Sequence, residues 1–247
     1  MLKILHLDIE RTPALGAIWD IWGINVGIDQ IIKDSEVLCW AASWEGKDKV
    51  EFSSSWQHGR LEMLKKIHEL LSEADAVVTY NGDKFDLKVL QMEFAKFGLG
   101  QPAPYKSIDL LKTVKRRFKM TSYKLDYVLR YFALGQKLPN PGMVLWLDCM
   151  NGKAAARKLM KQYNIQDVTE MKKLFAFLKG WGIVGMPNLS AYTREECCPE
   201  CGSKHYQKRG TRVVNVYRYP RYHCQDCGNW FRGNKAYDED RPMLMVP

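Results

Sequence analysis

Short apolar runs and longer helical repeats alternate along the chain. The apolar runs predict four strands, at residues 4–10, 37–44, 49–53 and 76–80. Residues 45–48 (Glu-Gly-Lys-Asp) form a turn between the second and third runs, which predicts an antiparallel hairpin beside the first strand. A helix is predicted where apolar side chains recur at helical spacing, at Leu61, Leu64, Ile67 and Leu71. This order of elements predicts a mixed α/β layer architecture.

Two carboxylates stand at the end of the first predicted strand, at Asp8 and Glu10. Side chains two residues apart on a strand share a face, so this pair projects together, about 6–7 Å apart along the backbone. Neighbouring carboxylates repel each other unless a cation neutralises them, and divalent cations prefer such hard oxygen ligands. An ordinary solvated strand end is the alternative explanation of the pair.

A second acidic cluster follows the fourth predicted strand. Asn81-Gly82 is a turn signal, and a helix with the apolar positions Phe85, Val89, Met92 and Phe97 follows it. Asp86 would lie in the first turn of this helix, where the helix dipole tolerates a carboxylate. Helix capping explains Asp83 well, but it explains Asp86 less well.

A third acidic position occurs within a long helical pattern. Tyr163 and Asp167 are four residues apart, so both side chains lie on one face of that helix and reach the same point. An ordinary amphipathic helix with a half-buried tyrosine is the alternative, because Tyr-x-x-x-Asp alone is a weak signal.

Taken in order, these motifs have a specific resemblance. Asp8-x-Glu10, Asn81-x-x-x-Phe85-Asp86 and Tyr163-x-x-x-Asp167 resemble the motifs of DEDD-type 3′→5′ exonucleases, of the subtype with a tyrosine in the third motif (DEDDy). The likeness is to the proofreading domain of family B DNA polymerases and to stand-alone exonucleases of tailed phages and prophages. It implies an RNase H-like fold over residues 1–185. It also implies two Mg²⁺ or Mn²⁺ ions held by Asp8, Glu10, Asp86 and Asp167, with Tyr163 orienting the attacking water.

Two paired cysteine motifs near the carboxyl end predict a separate small unit. Cys198-x-x-Cys201-Gly and Cys224-x-x-Cys227-Gly resemble the knuckles of a zinc ribbon, expected over residues 192–235, with residues 236–247 as a tail. One structural Zn²⁺ is expected. His205 and His223 are expected to be bystanders, with replacement of a cysteine ligand by either histidine as the alternative. A disulfide pair and a redox dithiol are the alternatives. Side-chain character alternates along residues 211–219 in the way that predicts a strand.

The net charge of +9 indicates a polyanionic partner, with nucleic acid as the first candidate and an anionic membrane surface as the second. Single-stranded DNA is the expected substrate, RNA remains open, and replication or recombination proteins are further candidate partners.

Trp19 and Trp22 are expected to pack internally rather than to line a nucleotide-facing surface. Between Cys201 and Lys235 there are eight basic residues and one acidic residue, and Tyr206, Tyr217, Tyr219, Tyr222 and Trp230 are interleaved with them, which suits a single-strand platform. The residues expected to contact nucleic acid are Arg11, Thr12, Asn81, Phe85, Lys115, Arg116, Arg117, Lys124, Arg212, Arg218 and Arg221.

Cysteine usage and hydropathy indicate the compartment. No apolar run approaches the roughly 20 residues of a membrane span, and no signal peptide is visible, so no membrane partner is expected. Paired Cys-x-x-Cys motifs suit a reducing cytoplasm, which would be that of the host if the gene belongs to a phage. The expected function is therefore a two-metal 3′→5′ exonuclease. The rival functions are an RNase H-like endonuclease or resolvase, and a nucleic-acid-binding zinc-ribbon protein with a vestigial nuclease fold.

Overall fold

The structure, a computed structural model, describes residues 2–19, 22–23 and 25–237. In these residues there are ten strands: β1 (Ile4–Arg11), β2 (Leu15–Gly16), β3 (Ile31–Lys33), β4 (Val37–Trp44), β5 (Glu51–Ser54), β6 (Ala76–Thr79), β7 (Lys106–Asp109), β8 (Tyr206–Val214), β9 (Tyr217–Cys224) and β10 (Trp230–Arg232). The same residues form a 3-10 helix (Ile28–Gln30) and eight α-helices: α1 (Ser55–His58), α2 (Arg60–Glu73), α3 (Asp86–Lys96), α4 (Leu110–Arg117), α5 (Leu125–Tyr131), α6 (Met143–Met150), α7 (Ala154–Lys179) and α8 (Leu189–Thr193).

Five strands form the central sheet in the order β5-β4-β1-β6-β7. Strands β1, β4 and β5 pair antiparallel, whereas β1, β6 and β7 pair parallel. The predicted mixed α/β architecture is therefore confirmed, and so is the predicted hairpin beside the first strand. Among the described helices, none is long and apolar enough to cross a bilayer.

Helices cover both faces of the central sheet. The first face packs on α2 and α3 through a core that includes Leu7, Leu64 and Phe94, and the second packs on α4, α5 and α7 through a core that includes Ile108 and Phe175. Because successive side chains of β1 point to opposite faces, its buried leucines face α2 and α3. His6 faces α7 and contacts Phe175, with ring centroids 5.0 Å apart. Asp8 and Glu10 follow His6 at alternate positions of β1, so their side chains point to the same face of the sheet, toward α7.

The turn after β6 is constrained by its neighbours. Asn81 has a positive φ of 68°, a conformation that asparagine tolerates better than most residues. A Cβ at Gly82 would lie 2.3–2.7 Å from side-chain atoms of Thr79, so only glycine fits there. The turn leads directly into α3. Asp86 is the first residue of α3 and therefore lies in its first turn, as predicted.

Two positions near this region differ from expectation. Met92 is 53% exposed, because it faces away from the α2–α3 core that buries Leu90 and Phe94. Asp83 does not cap α3; it contacts the Ser107 hydroxyl and the Lys112 ammonium instead.

The tryptophans after β1 also differ from expectation. Trp19 and Trp22 are 96% and 86% exposed, so the prediction of internal packing was wrong. They lie in the excursion between β1 and β4, where the described residues form the two-stranded β2–β3 sheet and the 3-10 helix (Ile28–Gln30).

A three-stranded sheet, β10-β9-β8, forms the C-terminal ribbon, which we define as residues 198–232. Residues 211–219, predicted as one strand, contain a hairpin turn between β8 and β9, with Asn215 at a positive φ of 52°. Alternation continues across a tight turn, so the pattern did not reveal the reversal. Of the predicted tail, residues 238–247 lie outside the described residues.

The ribbon sits directly against the end of α7. A Cβ at Gly180 would lie 2.5 Å from the carbonyl oxygen of Cys227, so backbone meets backbone at this joint. The Arg117 guanidinium donates to the Gly182 carbonyl oxygen at 3.0 Å, and the Ile183 amide donates to Glu200 at 3.3 Å. The C-terminal end of α7 thus meets the second cysteine knuckle at Cys227, and the residues that follow it contact both α4 and the first knuckle.

An internal ion pair joins the elements that place Asp86. Glu93 on α3 is fully buried, and its carboxylate accepts from Arg60 Nη2 at 2.6 Å, while Arg60 Nη1 contacts Glu36 at 2.6 Å. Glu93 also accepts the Val37 amide at 3.3 Å, which ties α3 to β4.

We predict that Arg60→Met lowers the free energy of unfolding by about 3 kcal/mol, because it leaves the Glu93 carboxylate buried without its cation. Lys65→Met is the matched control, since Lys65 pairs with Glu62 on the exposed surface of α2 and such pairs contribute about 1 kcal/mol or less. Urea unfolding followed by circular dichroism measures both. Equal losses in the two variants would contradict the importance of the buried pair.

Candidate active site

Three carboxylates converge where β1 passes under α7. Asp8 and Glu10 project from β1 and Asp167 from α7, and each brings an oxygen within 4.8 Å of the other two. Alternation along β1 and the helical repeat of α7 produce this convergence, since both elements turn these residues toward each other. Tyr163, one helical turn before Asp167, is also buried here.

Asp86 lies beside this group. It is 4% exposed, and its Oδ1 accepts the Ile9 amide at 3.1 Å, so the start of α3 is attached to the backbone between Asp8 and Glu10. The structure therefore brings together all four carboxylates expected from the sequence, with Asp86 next to the three-oxygen cluster rather than inside it.

A lysine that the sequence did not single out neutralises part of this charge. Lys137 Nζ lies 2.5 Å from Asp167 Oδ2 and 3.0 Å from the Tyr163 hydroxyl. It comes from the segment between α5 and α6, 30 residues before Asp167, and no motif or periodicity marks it. Its backbone amide donates to Asp126 at 3.1 Å, which fixes the segment over the cluster.

Burial is the first cause that raises the pKa of every carboxyl in the group. Burial, followed by the negative charges of Asp167 and Asp86, raises the pKa of Asp8 well above its usual value. Burial raises the pKa of Glu10 to about 8 and that of Asp86 to about 7. Asp167 also has a raised pKa through burial, although Lys137 opposes the shift.

Two further side chains hold the carboxylates in place. The Asn164 amide donates to Asp8 Oδ2 at 2.7 Å and to the Asp8 carbonyl oxygen at 3.3 Å. Trp146 Nε1 donates to Glu10 Oε2 at 3.2 Å. The helical repeat could have indicated Asn164, because it stands three residues before Asp167 on the same helix face. Trp146 could not be found in this way, since α6 reaches Glu10 only through tertiary packing.

The donor set fits divalent cations. Asp167 Oδ1 and Asn164 Oδ1 are buried and have no hydrogen-bond partner within the described part of the chain. Buried oxygens without partners are costly, whereas hard cations such as Mg²⁺ and Mn²⁺ take carboxylate oxygens as ligands. One lysine cannot balance four carboxylates, so the site as a whole favours additional positive charge.

The cluster opens onto a cleft of about 580 Å³. Asp8 and Lys137 line it together with three residues expected to contact nucleic acid, Asn81, Lys115 and Lys124. Tyr80 and Tyr123 add aromatic surface to the same cleft, with Lys115 Nζ 5.5 Å from the centroid of the Tyr123 ring. The cleft is thus acidic at its base and basic along its wall.

A family model described as the RNase_H superfamily matches residues 33–179, more than half of the chain. The chain belongs to this superfamily. The matched range contains Asp86, Tyr163 and Asp167, whereas β1, with Asp8 and Glu10, precedes it. Nucleases with an RNase H-like fold use divalent metal ions, which agrees with the donor set described above.

DNA polymerases are among the proteins similar to this RNase H-like chain. It is 27% identical over 183 residues to the DNA polymerase III PolC-type of Thermotoga maritima, which covers 68% of this chain and 13% of the polymerase. It is 31% identical over 137 residues to a DNA polymerase of Methanocaldococcus jannaschii, covering 46% of this chain and 8% of that protein. The chain thus spans only a small part of either polymerase.

A solved structure shares the fold. The family B DNA polymerase of the archaeon Pyrobaculum calidifontis superposes with a TM-score of 0.54 at 17% sequence identity, over 89% of this chain and 32% of that one. At this identity the similarity concerns the fold alone.

The other residues expected to contact nucleic acid lie in different surroundings. Thr12 is 4% exposed and its hydroxyl accepts the Glu36 amide, so its placement gives it a structural role rather than the expected contact. Arg117 is likewise engaged with Gly182 at the ribbon joint. Arg11 donates to Ser35 at 2.5 Å and lies over the half-buried ring of Phe85, and Arg116 is exposed on α4.

The four knuckle cysteines of the RNase H-like chain form a second candidate metal centre. Cys198, Cys201, Cys224 and Cys227 bring their sulfur atoms within 4.8 Å of one another, an arrangement compatible with a zinc ribbon. His205 contacts Asp226 at 3.1 Å, and His223 stacks on Trp230 with ring centroids 4.5 Å apart, so neither histidine belongs to the group.

We predict that the cation-free protein loses stability as pH rises from about 4 to 8. Glu10 and Asp86 have folded-state pKa values of about 8 and 7. In this window the folded protein therefore holds protons that the unfolded chain, with carboxyl pKa values near 4, has released. Added Mn²⁺ should raise the midpoint of thermal unfolding at pH 8 and have little effect at pH 5, as scanning fluorimetry would show.

Glu10→Gln serves as the control for this pH effect. Its amide oxygen can still accept from Trp146 while the charge is removed, so the cation-free variant should be more stable than the parent at pH 8. A rise of a few degrees is expected, as about 1 kcal/mol corresponds to roughly 2–4 °C in a chain of this size. Unchanged pH dependence in this variant would contradict the assignment of the effect to the cluster.

We predict that the purified protein contains one zinc ion per chain and that Cys224→Ser loses most of it, because a structural site needs all four ligands. Cys197→Ser is the matched control, since Cys197 adjoins the knuckle but lies outside the four-sulfur group. Elemental analysis by mass spectrometry measures the content. Retention of zinc by the Cys224 variant would exclude this ligand set.

Proposed function

We propose that the protein is a metal-dependent 3′→5′ exonuclease of the DEDDy type that removes nucleotides from single-stranded nucleic acid, with DNA as the favoured substrate. The observation that carries this proposal is the convergence of Asp8, Glu10 and Asp167 at the base of a basic cleft. Membership of the RNase_H superfamily and similarity to parts of DNA polymerases support a nuclease. The order of the three motifs along the chain supports the exonuclease type.

The carboxylates would hold two divalent cations, Mg²⁺ or Mn²⁺, with Asp8, Glu10 and Asp167 as the central ligands and Asp86 at the side. When bound, such cations offset the charge of the phosphate and lower the pKa of the attacking water. Asn164 and Trp146 keep the Asp8 and Glu10 carboxylates oriented toward the cleft. The Lys137 ammonium holds Asp167 and Tyr163 in a fixed relation before substrate arrives.

Tyr163 acts as a hydrogen-bonding group and not as a base. Burial, followed by the charge of Asp167, raises the pKa of its phenol to about 12, so the hydroxyl stays protonated at neutral pH. Its oxygen accepts one hydrogen bond from Lys137, and its hydroxyl is hydrogen-bonded to Asp167. A phenol that stays protonated would orient the attacking water by a hydrogen bond and would not remove its proton. Loss of this hydroxyl should therefore cost less than loss of a carboxylate.

The wall of the cleft suits a strand terminus. Lys115 and Lys124 can neutralise phosphates, and Tyr80 and Tyr123 offer rings beside them. Because the carboxylates lie at the base of a cleft of limited volume, an unpaired end fits better than a continuous duplex. Replication or recombination proteins are the partners we propose for such an enzyme.

We retain the division into a nuclease unit (residues 1–185), a zinc ribbon (192–235) and a tail (236–247) as part of this proposal. A cytoplasmic location, in the host cell for a phage-encoded protein, fits the reduced thiols that a four-cysteine zinc site requires.

We predict that Asp8→Asn and Asp167→Asn each reduce digestion of 5′-labelled 30-nucleotide DNA by roughly 10³-fold in Mn²⁺, because a bound cation contributes several kcal/mol to the reaction. Tyr163→Phe should reduce the rate only about tenfold, the cost of one hydrogen bond. Denaturing gels run over a time course measure the rates. The expected product is a ladder that shortens one nucleotide at a time from the 3′ end.

Glu62→Gln provides the matched control, since this carboxylate pairs with Lys65 on the exposed surface of α2 and should not affect the rate. Parallel reactions with RNA of the same sequence determine the sugar preference. Full activity of Asp8→Asn would overturn the assignment of the site. Internal cuts instead of a ladder would assign an endonuclease, and binding without digestion would assign a vestigial fold.

A further inference from the structure

The ribbon sheet has two unlike faces. One face gathers the rings of Tyr206, Tyr222 and Phe231, whose centroids lie 5.3–5.5 Å apart, and these rings are half-buried. This inward face supplies the small apolar core that the ribbon needs. It leaves the side chains of opposite parity on the other face, directed to solvent.

The strand register identifies the residues of that other face. Arg212 stands opposite Tyr219, His223 opposite Trp230, and Arg221 opposite Arg232. Residues 219, 221 and 223 alternate along β9, so these three pairs point to the same side. We call this set the outward ribbon face: Arg212, Tyr219, Arg221, His223, Trp230 and Arg232.

Aromatic rings and guanidinium groups are stacked on the outward ribbon face. His223 stacks on Trp230 with centroids 4.5 Å apart and an interplanar angle of 25°, and the Arg221 guanidinium lies 5.0 Å from the Trp230 ring. The Arg232 guanidinium lies 4.2 Å from the ring of Tyr219. These contacts hold the rings and the charges in fixed orientations while half of the Trp230 surface remains exposed.

None of the six residues that define the outward ribbon face carries a carboxylate. Three arginines stand there, and three acidic residues of the ribbon and its approach have other partners. Asp226 contacts Ser203 and His205, Glu195 pairs with Lys204, and Glu200 accepts the Ile183 amide. The face therefore presents positive charge and flat aromatic surface together.

We propose that the outward ribbon face binds single-stranded nucleic acid, with bases stacked on Trp230 and Tyr219 and phosphates neutralised by Arg212, Arg221 and Arg232. Base–aromatic stacking beside cations is the chemistry that recognises an unpaired strand without reading its sequence. A duplex hides its bases and can offer only phosphates. The proposal rests on the proposed nuclease function for the biological role of the strand, but binding at this face requires no hydrolysis.

Arg218 differs from the other ribbon arginines expected to contact nucleic acid. It stands one residue before Tyr219, so it points to the opposite side of β9, where the hairpin tip is exposed on both faces. We therefore assign the strand-binding role to Arg212, Arg221 and Arg232 and omit Arg218.

The test measures binding of fluorescein-labelled dT20, rU20 and a blunt 20-base-pair duplex by fluorescence anisotropy, in the full chain carrying Asp167→Asn so that nothing is digested. In this background we expect Trp230→Leu to weaken binding of both single strands about tenfold. The salt dependence should not change, and duplex binding should be unaffected. Arg221→Gln with Arg232→Gln should lower the slope of log K against log salt by about 1.4, because two phosphate contacts are lost.

Lys204→Gln with Lys208→Gln is the matched control, since it removes two charges from the ribbon outside the outward ribbon face. Equal zinc content in all variants, checked by elemental analysis, ensures that the ribbon stays folded. Single-strand binding that is unchanged in both outward-face variants, or reduced as much in the control, would overturn the proposal. Equal losses on duplex would also overturn it, because stacking would then have no part in binding.

These measurements separate the two proposals. If Asp8→Asn proved fully active, the nuclease site would be wrong while the anisotropy result on the ribbon would stand. If the ribbon variants bound single strands normally, the proposal for the outward ribbon face would be wrong. The nuclease site would still be tested by the digestion rates of the carboxylate variants.

Discussion

Mutual repulsion among buried carboxylates is the constraint on which the rest of the structure depends. Folding brings Asp8, Glu10 and Asp167 within 4.8 Å of one another and places Asp86 beside them. Charges this close are unfavourable in a buried site unless something of opposite sign is present. Isolated side chains would avoid this arrangement. It is maintained by the cores on both faces of the sheet, by the crossing of α7 over β1 and by the hydrogen bond from Asn164 to Asp8.

Lys137 offsets part of that repulsion from within the chain. Burial alone would lower its pKa, but the charges of Asp167 and Asp8 outweigh burial and raise it, so the ammonium is retained. A single positive charge between Asp167 and Tyr163 lets the cluster form during folding and still leaves it short of positive charge. The carboxylate cluster can therefore form without cations and is stabilised further when cations bind. This suits a site that must bind and release cations and a phosphate.

Local pattern was sufficient for much of the fold and for the acidic residues. Alternation placed Asp8 and Glu10 on one face of β1, and the helical repeat placed Tyr163 and Asp167 on one face of α7, because both periods are local properties of the backbone. Lys137 and Trp146 could not be predicted, since their roles depend on long-range packing that no period encodes. The exposure of Trp19 and Trp22 has a related reason: apolar character indicates burial only when a partner surface exists. The reversal at Asn215 leaves no sign in the sequence pattern, because the alternation is the same on both sides of a two-residue turn.

The joint at Gly180 has a mechanical consequence. Helix α7 carries Asp167 in its middle and ends at the ribbon, about 20 Å further along the axis at 1.5 Å per residue. The Cys227 carbonyl oxygen lies where a Cβ of Gly180 would stand, so the end of α7 and the second cysteine knuckle are in direct backbone contact. Inserting one residue between Asp167 and Lys179 would therefore turn the ribbon by about 100° around the axis of α7. The length of one helix therefore sets the angular phase between the acidic centre and the ribbon sheet.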